Sequence, residues 1–518
     1  MTIRPTKIRP LRAALLAGAL VLGSALPAGL SHARPARATG TFTIGWPISP
    51  QGFDPPGAPD NPSIWVMVNI YDQLLRTGND GTSLQPDLAT SWDIAKDGKT
   101  YTFHLRPNVT FHDDSKLTSG DVKFSLDRAR DAKELWSYLL TEIDKIDTPD
   151  ANTVSIRLKY PWAPFLSDVA FFGTAIYPAA YFKKVGANGL STHPVGTGPY
   201  ELESFKSGTS TILKKNPNYW AAGKFPLQRI EFDVIPNDNT RLVQLESGQL
   251  DVDNALAPNL VAPLKGNPSA VVRTDPSTIT TYLQPNHLTK PFGDVKVRQA
   301  INHAIDRQAL VRAVYYGFAS PANSFMAKGA IDWNPTLQPP SFDLALAKKL
   351  MAQSSVPHGF TMNYQVRAGS SQDNQVAVIF QQEVKAVGIT VNIKPTDPTT
   401  LANDNQNFKF DFFSQYWTND IPDPDELVSY SVDYSQSVKS YYTHYNNPAL
   451  TSLSHLAEVT PDPAKRRQIY YQIQSIFSQE VPFLYLVYVP FINGVNSKVH
   501  GFAENPLGYF VFQGVTKS

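Results

Sequence analysis

Two charged residues of opposite sign follow predicted β-strands and could together bind a small zwitterion. Arg367 comes directly after a strand whose apolar residues alternate up to Val366, and Asp420 follows a strand expected over 408–413. In open α/β sheets, ligands bind in the crevice beyond the carboxyl ends of the strands. A guanidinium and a carboxylate placed there suit the carboxylate and the ammonium of a peptide. Because an unpaired charge in a water-poor cleft costs several kcal/mol, such a site would select for ligands with both ends free.

Three aromatic residues near predicted strand ends are candidate apolar walls of this site. Tyr416 and Trp417 precede Asp420, and Trp46 ends the first predicted strand of the chain. Structural alternatives remain open for each residue. Asp420 could cap the turn that follows it, Arg367 could form a salt bridge at the surface or between lobes, and either tryptophan could lie in a core.

The elements that must position these residues are clearest between residues 360 and 417. Apolar residues alternate over 360–366, recur with a helical period up to Gly388, and alternate again from Ile389 to Ile393. This pattern predicts a βαβ unit with two parallel strands and a right-handed crossover. Further along, the apolar run Phe483 to Val489 is interpreted as a buried strand that returns to the first lobe.

The first 38 residues read as a secretory signal peptide. Basic residues precede an apolar run from Ala13 to Leu30, and small-residue sites follow, so cleavage is expected after Ala33 or Ala38. Glycine, serine and proline interrupt the run before it reaches the ~20 apolar residues that a membrane-spanning helix needs. The 480 residues that remain are too many for one hydrophobic core, so two or three lobes are expected.

Composition excludes several classes of function. Residues 1–38 hold six of the 46 Lys and Arg and no Asp or Glu, so the mature chain would carry a net charge of about −5, which argues against nucleic acid as a partner. The chain has no cysteine, so it can form no disulfide and is not expected to be a lipoprotein. No hydrolase elbow, zinc motif, phosphate loop or dinucleotide motif is present, and the adjacent residues of 112–114 are poorly placed to converge on one metal ion. We therefore expect no enzyme activity, cofactor or metal.

A series of short motifs recurs in order along nearly the whole mature chain. They are Trp92 to Arg106, Phe111-His112-Asp113, Val195-Gly196-Thr197-Gly198-Pro199-Tyr200, Asn216-Pro217-Asn218-Tyr219-Trp220, Val297-Arg298-Gln299-Ala300, Ala304-Ile305-Asp306-Arg307 and Trp417 to Pro424. In this order they resemble the family 5 extracellular solute-binding proteins, the peptide and nickel receptors of ABC importers.

The resemblance implies an α/β, periplasmic-binding-protein-like fold of type II, cluster C: two hinged lobes and an extra small α+β domain. The expected boundaries are a signal peptide over 1–38, lobe I over 39–76, 196–287 and 483–518, domain II over 77–195, and lobe III over 288–482.

The resemblance also implies roles for the candidate residues. Peptide receptors of the family anchor the ligand's amino terminus on an aspartate three residues after a tryptophan, which Trp417 and Asp420 match. An arginine ahead of the helix that precedes a Gly-Ile strand binds the carboxylate in dipeptide-type receptors, and Arg367 matches it by its spacing to Gly388.

The function implied is the capture of short peptides by a monomeric periplasmic receptor, which delivers them to an inner-membrane ABC permease. Two alternatives stay open. The same fold could bind an oligosaccharide, a nickel chelate, haem or an opine, or the chain could be a secreted hydrolase that uses two carboxylates.

Overall fold

The computed structural model describes residues 40–58, 60–436 and 438–518, which form one compact unit from Gly40 to Ser518. The predicted signal peptide lies outside the described residues. Within the described ranges, no helix is both long and apolar enough to cross a membrane.

The first sheet has seven strands and gathers segments from distant parts of the chain. Its central strand Thr41–Trp46 is buried along its whole length and runs parallel to both of its neighbours, as expected of a strand covered on both faces. Across the sheet the strands are Ala270–Asp275, Phe491–Asn496, Val252–Asp253, Thr41–Trp46, Arg229–Val234, Ser210–Lys215 and Tyr200–Lys206.

The second sheet has six strands and contains the predicted βαβ unit. Thr361–Arg367 pairs in parallel with Thr390–Thr396, and the helix between them ends at Gly388, whose φ of 82° is left-handed. Across the sheet the strands are Ser320–Pro321, Leu484–Tyr488, Thr280–Pro285, Phe412–Trp417, Thr361–Arg367 and Thr390–Thr396. The predicted βαβ unit is confirmed.

A third, antiparallel sheet forms the centre of a smaller region between residues 89 and 158. Its strands, in order, are Ala89–Ile94, Thr100–Leu105, Thr153–Leu158 and Ile143–Asp150. Two short pairs complete the strands described: Leu75–Thr77 with Leu84–Pro86, and Val499–His500 with Thr516–Lys517.

Helices cover the sheets and fill the connections. Their bounds are Asn61–Ile70, Ser119–Ala129, Phe165–Asp168, Ala179–Thr192, Asp238–Glu246, Val261–Leu264, Val295–Ala304, Arg307–Ala313, Leu344–Ala352, Ser371–Val384, Pro398–Gln406, Asp425–Val432, Pro448–Glu458 and Pro463–Glu480.

Two short links join the first sheet to the second, and they run side by side. One link, residues 276–279, leads from Asp275 to Thr280, and the other consists of Val489 and Pro490. The backbone N–H of Val489 donates to the Ile279 carbonyl at 3.2 Å. Adjacent links of this kind are the usual form of a hinge between two lobes.

Strand pairing changes two of the predicted lobe boundaries. Leu484–Tyr488 is a buried strand, as predicted, but it pairs with Thr280–Pro285 in the second sheet instead of joining the first. The chain therefore passes between the two sheets at 276–279 and 489–490, rather than at 287/288 and 482/483. An apolar strand buried on both faces has the same pattern in either sheet, so its composition could not tell the two apart.

Candidate functional site

Arg367 is the last residue of strand Thr361–Arg367, at the point where the βαβ unit turns from strand to helix. Val366 before it is fully buried, whereas Arg367 stays partly exposed. The hydroxyl of Ser370 then caps helix Ser371–Val384. Within the part of the chain that the structure describes, the Arg367 guanidinium has no hydrogen bond or ion pair with another side chain. The Asp373 carboxyl in the same cavity interacts with this guanidinium electrostatically without forming an ion pair, which leaves the guanidinium N–H groups open to a ligand.

A cavity of about 240 Å³ opens beside Arg367, at the carboxyl ends of the second sheet's parallel strands. Tyr416, 42% exposed, lines the same cavity. Burial raises the pKa of Asp373 in this cavity, and the nearby Arg367 opposes that rise. The lining consists of Ile279, Thr281, Tyr282, Tyr315, Arg367, Ser370, Gln372, Asp373, Val376, Ser414, Gln415, Tyr416, Leu486 and Val489. Because Ile279 and Val489 belong to the two links, the cavity adjoins the hinge.

Asp420 lies in a loop that leaves the second sheet and rests against the first lobe. Strand Phe412–Trp417 starts four residues later than the predicted 408–413 strand, so Asp420 follows it by three residues. The backbone N–H of Asn419 donates to the Thr278 hydroxyl at 2.9 Å, and the Tyr509 hydroxyl donates to the Asp420 carbonyl. Ile421 packs in the same apolar cluster as the first sheet. Asp420 thus lies where the two lobes meet.

A second carboxyl group, that of Glu426, lies directly behind Asp420. One Glu426 carboxylate oxygen accepts the backbone N–H groups of Asp420 at 3.0 Å and Ile421 at 3.3 Å. The Asp420 residue keeps some solvent exposure, yet burial raises the pKa of its carboxyl to about 7. Burial also raises the pKa of Glu426, which is fully buried, well above its ordinary value.

Trp417 stands among tyrosines beside this acidic pair. Its ring centroid lies 5.5 Å from that of Tyr430 and 5.3 Å from that of Tyr441. Its indole Nε1 is buried and has no hydrogen-bond partner within the described ranges. Electron-rich rings and an unsatisfied N–H next to carboxylates are suited to an organic cation with an adjoining carbonyl.

Trp46 is placed differently from the other four predicted site residues. It is fully buried in the core of the first lobe, where its ring stacks on Phe232 with centroids 4.7 Å apart. It does not line the cavity beside Arg367. The burial of Trp46 does not favour contact with a ligand, and that contact stays a prediction.

Glu426, Tyr509 and Asp373 were not predicted from the sequence as residues of the ligand site. Glu426 could have been found, because an acidic residue in the first helical turn after Pro424 is well placed to accept the N–H groups of the preceding loop. Tyr509 contacts Asp420 from 89 residues away, a contact for which a single sequence contains no signal.

A known protein family matches most of this chain. The family model described as bacterial extracellular solute-binding proteins, family 5, matches residues 83–439, more than half of the chain. The chain belongs to this family. The resemblance inferred from the ordered motifs is confirmed.

Relatives of the family 5 protein match it over almost its whole length. Heme-binding protein A of Haemophilus influenzae is 28% identical over 512 residues, which cover 92% of each chain. The dipeptide-binding protein of Escherichia coli is 28% identical over 500 residues, which cover 90% of this chain and 93% of the relative.

A solved structure shows that the similarity extends to the fold. The ABC transporter-associated periplasmic binding protein DppA from Helicobacter pylori, in complex with the peptide STSA, superposes with a TM-score of 0.82 at 28% identity. The match covers 92% of this chain and 98% of that one. The predicted two-lobed α/β binding-protein fold is confirmed.

Proposed function

We propose that this family 5 protein is the receptor of an ABC importer for short peptides. The observation that carries the proposal is the placement of opposite charges near the hinge: the Arg367 guanidinium in the cavity, for which the described residues supply no ion pair, and the Asp420 carboxyl on the adjoining loop. Arg367 would bind the peptide's carboxylate and Asp420 its ammonium, with Tyr416 and Trp417 as walls. Each end of the ligand would then meet a fixed partner.

The spacing of these groups favours a short ligand. Asp420 lies four positions along the chain from Tyr416, which is at the cavity, and four steps between consecutive Cα atoms span at most ~14 Å. A peptide that joins the two charges therefore needs only a few residues. A fully extended dipeptide covers about half that length, and the long side chain of Arg367 supplies further reach.

The hinge would convert binding into a signal for the permease. Arg367 and Asp420 both belong to the second sheet and the loop that follows it, so any ligand contact added by the first lobe is made only on closure and would favour the closed arrangement over the open one. A micromolar ligand corresponds to about −8 kcal/mol, which two charge pairs and a few backbone hydrogen bonds can supply after ordering costs. We propose that the monomer presents this closed form to an inner-membrane ABC permease.

The proposed location is the periplasm. The basic and apolar pattern of residues 1–38 supports export and cleavage after Ala33 or Ala38, and a chain without cysteine offers no thiol for lipid attachment. A receptor of this kind would diffuse between the ligand and its permease.

Calorimetry with blocked peptides tests the proposed ligand class. The dipeptide Ala-Leu should bind, whereas N-acetyl-Ala-Leu and Ala-Leu amide should each bind at least about 100-fold more weakly, because each leaves one protein charge unpaired. Equal binding of all three would instead favour another solute, such as a sugar or a metal chelate.

Incubation with peptides tests the hydrolase alternative. The peptides should be recovered intact, and cleavage products would support a hydrolase.

A further inference from the structure

Glu426 is buried beside Asp420 without a cation to balance it. The residue is fully buried, and one of its carboxylate oxygens accepts two backbone N–H groups. Its other oxygen, Oε1, has no hydrogen-bond donor within the described ranges. Its carboxyl group lies within hydrogen-bond reach of the Asp420 carboxyl. Two carboxylates at such a distance form a hydrogen bond only if one of them is protonated.

The other groups that face this pair are all tyrosines. Tyr138 comes from the region of the third sheet, Tyr430 from helix Asp425–Val432, and Tyr509 from the carboxyl-terminal segment. Within the described ranges neither carboxyl is in an ion pair with lysine, arginine or histidine. Like-charged carboxyls in contact cannot both ionise without a cation, so the pair retains a proton when no ligand is bound.

We propose that Glu426 is the second acidic group of the ammonium site, and that it shares with Asp420 one proton which a bound ammonium displaces. This inference rests on the proposed function. On binding, the O–H bond of the shared proton breaks and the proton leaves to solvent. The pair gains one negative charge, which the ligand's ammonium balances. Glu426 is a positioning residue, because its other oxygen also fixes the backbone of the loop that carries Asp420.

The sign of the resulting pH dependence follows from the burial of the pair. Burial raises the pKa of Asp420 to about 7, so the pair is protonated below neutral pH. An ammonium favours the ionised form, so its affinity increases as pH rises toward 7. With one proton released, the association constant should increase about tenfold or more between about pH 5.5 and 7.0. The α-amino group of a peptide stays charged over this range, because its own pKa is about 7.7 to 8.0.

Isothermal titration of Ala-Leu into the full protein, in phosphate and in Bis-Tris, measures proton release from the buffer dependence of the binding enthalpy. The wild type should release close to one proton near pH 6. Glu426→Gln can still accept the loop N–H groups, and its amide can donate to Asp420 without a titrating proton. Because this amide donor favours the ionised Asp420 carboxyl, the variant should release fewer than about half as many protons as the wild type near pH 6, and its affinity should depend less on pH over the same range. The matched control is Asp425→Asn, because Asp425 faces Glu458 and Asp423 instead, and it should keep the wild-type slope.

The proposal of a shared proton would be overturned if the affinity for Ala-Leu changed equally with pH in the wild type and in Glu426→Gln, or if the wild type released no proton on binding. Infrared difference spectra of the ligand-free protein give a second readout. A protonated carboxyl band that titrates near neutral pH should be present in the wild type. Its midpoint should fall in Glu426→Gln, whereas in Asp420→Asn the Glu426 carboxyl, whose pKa burial raises well above its ordinary value, should stay protonated through neutral pH. If this band behaves as expected but Ala-Leu does not bind, the proposed peptide ligand is wrong while the proton-sharing pair stands.

Discussion

At the scale of single residues, the proposed site rests on two charged groups for which the described residues form no ion pair: the Arg367 guanidinium in the cavity and the Asp420 carboxyl in the loop. In the proposal, a ligand with both ends charged would bring each group a partner of opposite charge. The strand and spacing patterns predicted Arg367, Tyr416, Trp417 and Asp420, and their contact with a ligand stays a prediction. These patterns did not predict the role of Glu426, because that role depends on the conformation of the loop before it, which brings the N–H groups of Asp420 and Ile421 to its carboxylate.

Asp420→Ala should weaken binding of Ala-Leu at least about 100-fold, because the ligand's ammonium loses its fixed partner. Calorimetry measures the affinity, and circular dichroism checks that the fold is retained. Asp93→Ala, which removes a side chain that is 79% exposed, is the control and should bind normally. An unchanged affinity for Asp420→Ala would remove Asp420 from the site.

Arg367→Ala should weaken the binding of dipeptides most and of longer peptides progressively less. A dipeptide places its carboxylate at the cavity, whereas a longer peptide carries its carboxylate past Arg367. Affinities for a series from two to five residues test this, with Arg312→Ala, whose side chain is 68% exposed, as a control. An equal loss at every length would contradict a dipeptide-type pocket.

At the scale of elements, periodicity determined the βαβ unit because its apolar pattern changes from two to 3.6 residues and back. The same periodicity does not indicate which sheet a strand joins. Leu484–Tyr488 was predicted as a strand but placed in the wrong sheet, since pairing with Thr280–Pro285 across some 200 residues leaves no local pattern. Strand Phe412–Trp417 also starts later than the predicted residue 408, because Phe408 adopts a φ of 56°, which a strand does not allow.

Gly388→Ala tests the left-handed turn that joins the helix of this unit to its second strand. The residue has a φ of 82°, and a Cβ there would lie 3.0 Å from the His358 carbonyl oxygen. We expect a loss of about 1 to 2 kcal/mol in the free energy of unfolding, measured in urea. Gly388→Asn should cost less, because asparagine tolerates this conformation. Equal losses would show that the close approach to residue 358, and not the φ angle, limits the position.

At the scale of the whole molecule, the small region around the third sheet docks on the second lobe through a buried acidic junction. Asp168 accepts the Trp162 indole N–H at 2.8 Å on one side. On the other side, the Arg466 guanidinium pairs with both oxygens of Asp423. The backbone N–H of Ala163 donates to the Glu458 carbonyl at 2.7 Å, and this hydrogen bond joins the small region to the second lobe. The contact that crosses this junction could not be predicted, because Ala163 and Glu458 are roughly 300 residues apart in the sequence.

Glu458 should make the stability of this junction depend on pH. Its pKa is raised from 4.5 to about 7, mainly by burial and also by Asp433 and Glu142, while His455 and Arg466 oppose the rise. The folded state thus holds the proton more tightly than the unfolded chain does. The resulting stabilisation is fully present below about pH 4.5 and is lost as pH rises through about 7.

Glu458→Gln, which is neutral at every pH, should remove most of this dependence. Between about pH 5 and 8 the wild type should lose on the order of 2 to 3 kcal/mol of unfolding free energy more than the variant does. Urea unfolding at the two pH values measures the difference. Glu246→Gln, whose native carboxylate accepts from the Asn267 amide, controls for the removal of a carboxylate elsewhere and should follow the wild type. If Glu458→Gln also follows the wild type, the proton at this junction is held by Asp168 or Asp425, whose pKa values burial likewise raises.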